Sequence, residues 1–133
     1  MANTVTTQTL VDNEKHCVIK FTNLSDSTAE TNLKKVDVST LKAKGSDACS
    51  EVVIEKIVAD ISGMQVRILW DATANVACFT VSASGTYDFK DNSGVRGLEN
   101  DAGAGKTGDV LFTTIGASSN DHYSIVLYMR KKY

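Results

Sequence analysis

Apolar and polar residues alternate with period two along much of the chain, the spacing of strands that bury one face. Cys17, Ile19 and Phe21 fall on one side of the run at 16–21. Met64, Val66, Ile68 and Trp70 do the same at 64–70, Val110, Phe112 and Thr114 at 110–114, and Tyr123, Ile125, Leu127 and Met129 at 123–130. These runs are short, rich in β-branched and aromatic residues, and bounded by Gly, Asn, Asp or Ser. Further strands are predicted over 5–10, 35–39, 52–61, 76–81 and 86–89. The 52–61 stretch is ambiguous, because Val53, Ile54, Ile57, Val58 and Ile61 also fit one helix face. Its neighbours are all strands, so it is read as a strand with room for a bulge.

About eight short antiparallel strands predict an all-β fold, a Greek-key or jelly-roll-like sandwich forming one domain over 1–133. No segment repeats at a fixed period, which argues against a solenoid or propeller. Two irregular segments interrupt the pattern, at 24–34 and at 91–108. The second is rich in Gly, Asn and Asp, and loops of that length commonly carry function. Residues 1–11, uncharged and rich in Thr, predict an N-terminal arm or an edge strand.

At 133 residues the chain is long enough to bury about two-thirds of its surface, with roughly 7,000 Å² left exposed. A net charge of −2 without a basic stripe gives no footprint for nucleic acid. No apolar run approaches the ~20 residues of a membrane helix. The N-terminus lacks the basic and then apolar layout of a secretory signal, so synthesis in a cytoplasm is expected. The closing Arg130-Lys131-Lys132 is expected to be solvated. Cys17, Cys49 and Cys78 are odd in number and fit no disulfide or zinc spacing, so buried thiols are expected.

Candidate chemistry is sparse, and no catalytic, cofactor or metal residues are assigned. Gly105-Lys106-Thr107 ends like a phosphate-binding loop, but Asn100 stands where the pattern needs glycine and a strand follows where a helix is needed. His16 and Cys17 are adjacent on a strand and point to opposite faces, which disfavours a shared ion. The carboxylate pairs Glu99/Asp101 and Asp88/Asp91 match no calcium-loop series. Trp70 reads as core, while Tyr87 and Phe89 fit either core or interface.

Several segments together resemble a family of small β-rich proteins of tailed bacteriophages. They are residues 20–26 (Lys20-Phe21-Thr22-Asn23-Leu24-Ser25-Asp26), 35–39, 69–73 (Leu69-Trp70-Asp71-Ala72-Thr73) and 97–109, the last running on into 112–114 and 123–127. The resemblance covers about residues 12–133. It implies a capsid decoration, or cement, protein: a homotrimer bound to the major capsid protein on the outside of the head. Head–tail junction or tail placement, and a carbohydrate-binding adhesion module, are the alternatives. The resemblance carries no active-site residues and implies no nucleic-acid or membrane partner. Two surfaces are the candidate interfaces. Thr4, Val5, Thr6 and Thr7 suit strand addition to a neighbouring sheet, and Arg96, Glu99, Asp101 and Lys106 suit ion pairing from a glycine-rich loop.

Overall fold

The structure, a computed structural model, describes residues 4–90 and 96–133. Nine strands form among them: β1 (Thr4–Asp12), β2 (His16–Asp26), β3 (Leu33–Val36), β4 (Glu51–Ser62), β5 (Gln65–Trp70), β6 (Val76–Val81), β7 (Gly85–Asp88), β8 (Val110–Ile115) and β9 (Ser119–Lys132). A single 3-10 turn covers Val38–Thr40. One sheet runs β1-β2-β9-β4-β7 and the other β3-β8-β5-β6, with every pairing antiparallel.

The pairings β2 with β9, β3 with β8, β4 with β7 and β5 with β6 describe one long antiparallel ribbon with its tip between β5 and β6. Folding that ribbon over itself places β9 beside β4 and β8 beside β5, which closes the two sheets. This is jelly-roll connectivity, with β1 added outside β2. The exposed area is 6797 Å², near the expectation from chain length.

Alternation places Cys17, Ile19 and Phe21 of β2 opposite Met129, Leu127 and Ile125 of β9, and all six are buried. Phe112 of β8 meets Phe21 edge-on at 5.3 Å and Tyr123 at 5.8 Å, joining the sheets at the centre of the core. Trp70 is buried, as its pattern predicts. Tyr87 and Phe89 pack edge-on against Phe79 at 5.2 and 5.0 Å, so both belong to the hydrophobic cluster.

The ambiguous 52–61 stretch is strand β4, and it carries a bulge at Glu55. Three successive residues, Val52, Val53 and Ile54, are buried there. The core covers Val52 and Ile54, and Gly97 packs over Val53 on the other face. That double coverage explains why the segment reads as either helix or strand.

Three expectations need correction. The strand expected over 35–39 is β3 at Leu33–Val36, because the Asp37 carboxylate accepts from the Ser39 N–H and starts the 3-10 turn. The irregular segment at 24–34 shrinks, since Leu24 to Asp26 continue β2 and Leu33 and Lys34 begin β3. Of the terminal cations, Lys132 remains 40% exposed in solvent, but Arg130 and Lys131 do not. Lys131 falls at an inward position of β9, where its ammonium pairs with Asp12 and donates to the Lys42 carbonyl at 2.9 Å. Arg130 pairs with Glu55 at 3.0 Å. Burying a cation demands such partners.

Candidate functional site

Of the two predicted surfaces, the N-terminal one is open. Thr4, Val5, Thr6 and Thr7 lie in β1, paired along one side with Leu24, Asn23, Thr22 and Phe21 of β2. The segment is thus a strand of the chain's own sheet, and its other edge pairs with no described strand. Eight of its nine residues are exposed. Val5, Thr7 and Thr9 face the core side, yet β1 overhangs the smaller sheet and leaves them in solvent. Val5, Leu10 and Val11 on β1, with Leu24 opposite Thr4, are among the exposed large apolar residues.

Edge strands offer unpaired backbone donors and acceptors and are normally guarded. The β3 edge has four residues and two lysines, and the β7 edge has four residues and an aspartate. The β6 edge is bulged at Cys78. In β1, residues 4–11 contain no charge and no proline, and the bulge at Leu10 disturbs only the far end. Asp12 anchors that end, accepting from Lys131 and from the Lys42 N–H.

The described part of the 91–108 loop is bound to its own sandwich, while residues 91–95 lie outside the described residues. Leu98 exchanges backbone bonds with Ile54, N–H to O at 2.7 Å and back at 3.0 Å, and so extends the β4 edge beyond β7. Thr107 donates its hydroxyl to Asp71 at 2.8 Å, and its N–H to the Asp71 carbonyl at 3.2 Å. Thr73 donates to the Ala104 carbonyl at 3.1 Å. Gly108, at φ +88°, lies so close to the Ser50 carbonyl that a Cβ would sit 1.9 Å from the oxygen. Asp109 is buried, accepts from the Val38 N–H at 2.9 Å and holds Lys34 at 3.1 Å.

Two of the four charged residues predicted for this loop, Glu99 and Lys106, have intramolecular ion-pair partners. Lys106 pairs with Glu51 at 3.3 Å and Glu99 with Lys132 at 3.2 Å. Asp101 is exposed and lies near enough to Cys78 to help raise its thiol pKa, after the larger effect of burial. Arg96 borders a depression shared with Lys15, His16, Lys90 and Arg130. The bulge carboxylate of Glu55 sits among these groups, 3.0 Å from Arg130, 3.5 Å from Lys90 and 3.6 Å from His16. The phosphate-loop likeness dissolves, since Gly105 turns against Thr73 and Thr107 leads into β8.

Thr4–Thr7 and the loop do not form one surface. They flank opposite sides of the larger sheet, with β2 and β9 between β1 and β4. Among the described residues no group of three His, Cys, Asp or Glu is placed to hold a metal ion, and no helix is long and apolar enough to cross a membrane.

One cluster escaped the sequence reading. Asn23, Glu30, Lys35 and Tyr123 meet inside the sandwich. The signal was present, because continuing the Cys17-Ile19-Phe21 alternation by one step puts an asparagine on the buried face. No family model, curated protein or solved structure matches this chain.

Proposed function

We propose that this chain is a structural protein of a tailed-phage virion, a decoration subunit that binds the outer face of the head. The observation that carries the reading is β1, a nine-residue strand whose first eight residues carry no charge, with one edge that pairs with no described strand and both faces exposed. Such a strand accepts an extended segment of another chain through backbone bonds, with side-chain pockets adding selectivity. The partner is the major capsid protein, and three copies around a local symmetry axis multiply weak contacts into firm attachment. A subunit that binds the assembled shell and not free capsid subunits stabilises the shell by mass action. The resemblance through residues 12–133 supports this reading, as does a jelly-roll topology used by viral capsid and lectin domains. The latter is support by fold analogy only.

No observation favours the adhesion alternative. Trp70 and Tyr123 are buried, Tyr87 and Phe89 pack on Phe79, and Tyr128 lies under the Lys56 ammonium at 5.0 Å.

The test is to mix the purified protein with heads that lack it, and separately with dissociated capsid subunits. Cosedimentation with heads alone, at many copies spread over the shell in electron micrographs, is the expected result. A signal confined to one ring at the neck moves the protein to the head–tail junction, and no association at all ends the proposal. The solution mass of the free protein tests the trimer.

A further inference from the structure

The buried cluster between the sheets is arranged for covalent chemistry. Asn23 lies on β2 in register with Tyr123 of β9, Lys35 lies on β3, and Glu30 lies between β2 and β3 in sequence. Glu30 is fixed by a reciprocal pair with Thr114, donating its N–H to the hydroxyl at 2.8 Å and accepting the Thr114 N–H at 2.9 Å. Its Oε1 accepts from the Asn23 amide nitrogen at 2.9 Å and from the Tyr123 hydroxyl at 2.6 Å. Its Oε2 is 2.6 Å from Lys35 Nζ, in ion-pair contact but without hydrogen-bond geometry. Lys35 is the bulge residue of β3, and the bulge lets both Lys35 and Val36 turn inward. Bulges commonly re-aim side chains in this way.

The surroundings are dry. The Lys35 and Glu30 side chains are each 3% exposed, and Lys35 Nζ lies 5.9 Å from the Phe112 ring centre and 6.0 Å from that of Tyr123. The Asn23 carbonyl oxygen is buried with no hydrogen-bond partner. A purely structural ion pair needs neither an amide on the second carboxylate oxygen nor an orphaned carbonyl beside it. Together these groups are a nucleophile, a proton acceptor and an acyl group held by one carboxylate.

The geometry points to an intramolecular amide bond between Lys35 Nζ and Asn23 Cγ, formed by the chain itself with Glu30 as proton carrier. The ammonium of Lys35 passes one proton to Glu30 Oε2, and the neutral amine attacks Asn23 Cγ. The Cγ–Nδ2 bond breaks as the Cγ–Nζ bond forms. A second proton from Nζ goes to Nδ2, which departs as ammonia. Nζ ends with one hydrogen as an amide nitrogen, Glu30 keeps the first proton, and the site is neutral before and after. Exclusion of water protects the acyl group from hydrolysis. Burial pushes the Tyr123 hydroxyl pKa up, so the phenol remains a donor to Glu30 throughout. The product is a covalent staple between the two sheets. This inference stands on the core cluster alone and is independent of the virion reading.

Mass spectrometry of the folded, full-length protein tests it. The expected result is a mass below that of the sequence by one ammonia, about 17 Da, and a tryptic peptide 21–34 joined to 35–42 with no cleavage after Lys35. The Lys35→Arg and Glu30→Gln variants should keep the full sequence mass. The Asn23→Asp variant should lose water instead and arrive at the same linked product. A succinimide at an asparagine gives the same mass loss but leaves Lys35 cleavable. Folded wild-type protein with its full sequence mass and free Lys35, or a mass loss without the joined peptides, overturns the inference.

Discussion

The strand β1 and the loop at 91–108 looked alike as interface candidates, yet the fold treats β1 and the described part of that loop, residues 96–108, in opposite ways. The loop carries charge and glycine, the marks of an exposed contact segment, and it is fastened to the sandwich by Leu98, Thr107 and buried Asp109. The strand carries no glycine and no charge before Asp12 at its far end, and it projects from the sheet with only β2 beside it. Glycines in the loop serve the chain's own packing, since Gly97 and Gly108 let its backbone touch Ile54 and Ser50. The outer edge of the strand, by contrast, pairs with no described strand. Composition thus marks a segment as unusual, while its unsatisfied backbone shows what it is free to do.

The difference should be largest in thiol chemistry. Burial and then the nearby Asp101 push the Cys78 thiol from 9.0 up to about 12. That lowers its thiolate fraction near neutral pH about a thousandfold, and alkylation should slow accordingly. Peptide-resolved alkylation at pH 8 should leave Cys78 unlabelled in native protein and label it rapidly in urea. A cysteine placed by Thr7→Cys should label at the rate of a free thiol. Equal protection at both positions would erase the contrast. The shift also sets a sign in alkali: the folded state favours the neutral thiol, so its contribution is full below about pH 9 and falls as pH rises towards 12.

Stability comes next. Gly108→Ala forces a Cβ into the Ser50 carbonyl at a positive φ and should cost about 3 kcal/mol or more in urea unfolding. Gly45 also has a positive φ, +61°, but nothing within 4 Å of its added Cβ. Gly45→Ala should cost only the backbone strain, about 1 kcal/mol. A small penalty at Gly108 would mean the loop can lift away from the sandwich. Thr107→Val, which removes the hydroxyl bond to Asp71 and the one it accepts from the Asp109 N–H, should cost about 1 kcal/mol.

The sandwich was legible because alternation depends on local sequence alone. Even the β4 bulge left a trace in Val52-Val53-Ile54. Strand ends were less legible, because Asp37 stops β3 with a side-chain bond that competes with the ladder. The attachment of the loop was hidden for a different reason. Leu98 meets Ile54 and Gly108 meets Ser50 over separations of more than forty residues, and no local pattern encodes such contacts. The inward lysines lay between these cases. Lys131 continues the Tyr123-Ile125-Leu127-Met129 alternation, so its burial was written in the period, but a terminal cation invites the solvated reading. Glu30 sits outside any periodic run and was found only through its partners.

The smallest effect on stability should come from β1, and it is the most informative for function. Thr7 is exposed, makes its backbone pairing to Phe21 regardless of side chain, and faces the overhang on the core side of the sheet. Thr7→Lys should therefore change unfolding by no more than about 0.5 kcal/mol. An inward-pointing lysine is also a common guard on natural sheet edges, since pairing with another strand would strip water from its charge. Adding this guard to the unguarded edge should abolish binding to heads while leaving the fold and the Cys78 protection intact. Thr7→Val, which adds no charge to the strand, should retain binding. If Thr7→Lys binds as well as wild type, the edge is not the contact. If it unfolds the protein, the strand belongs to the core and not to an overhang, and the contrast with the loop fails on its own terms.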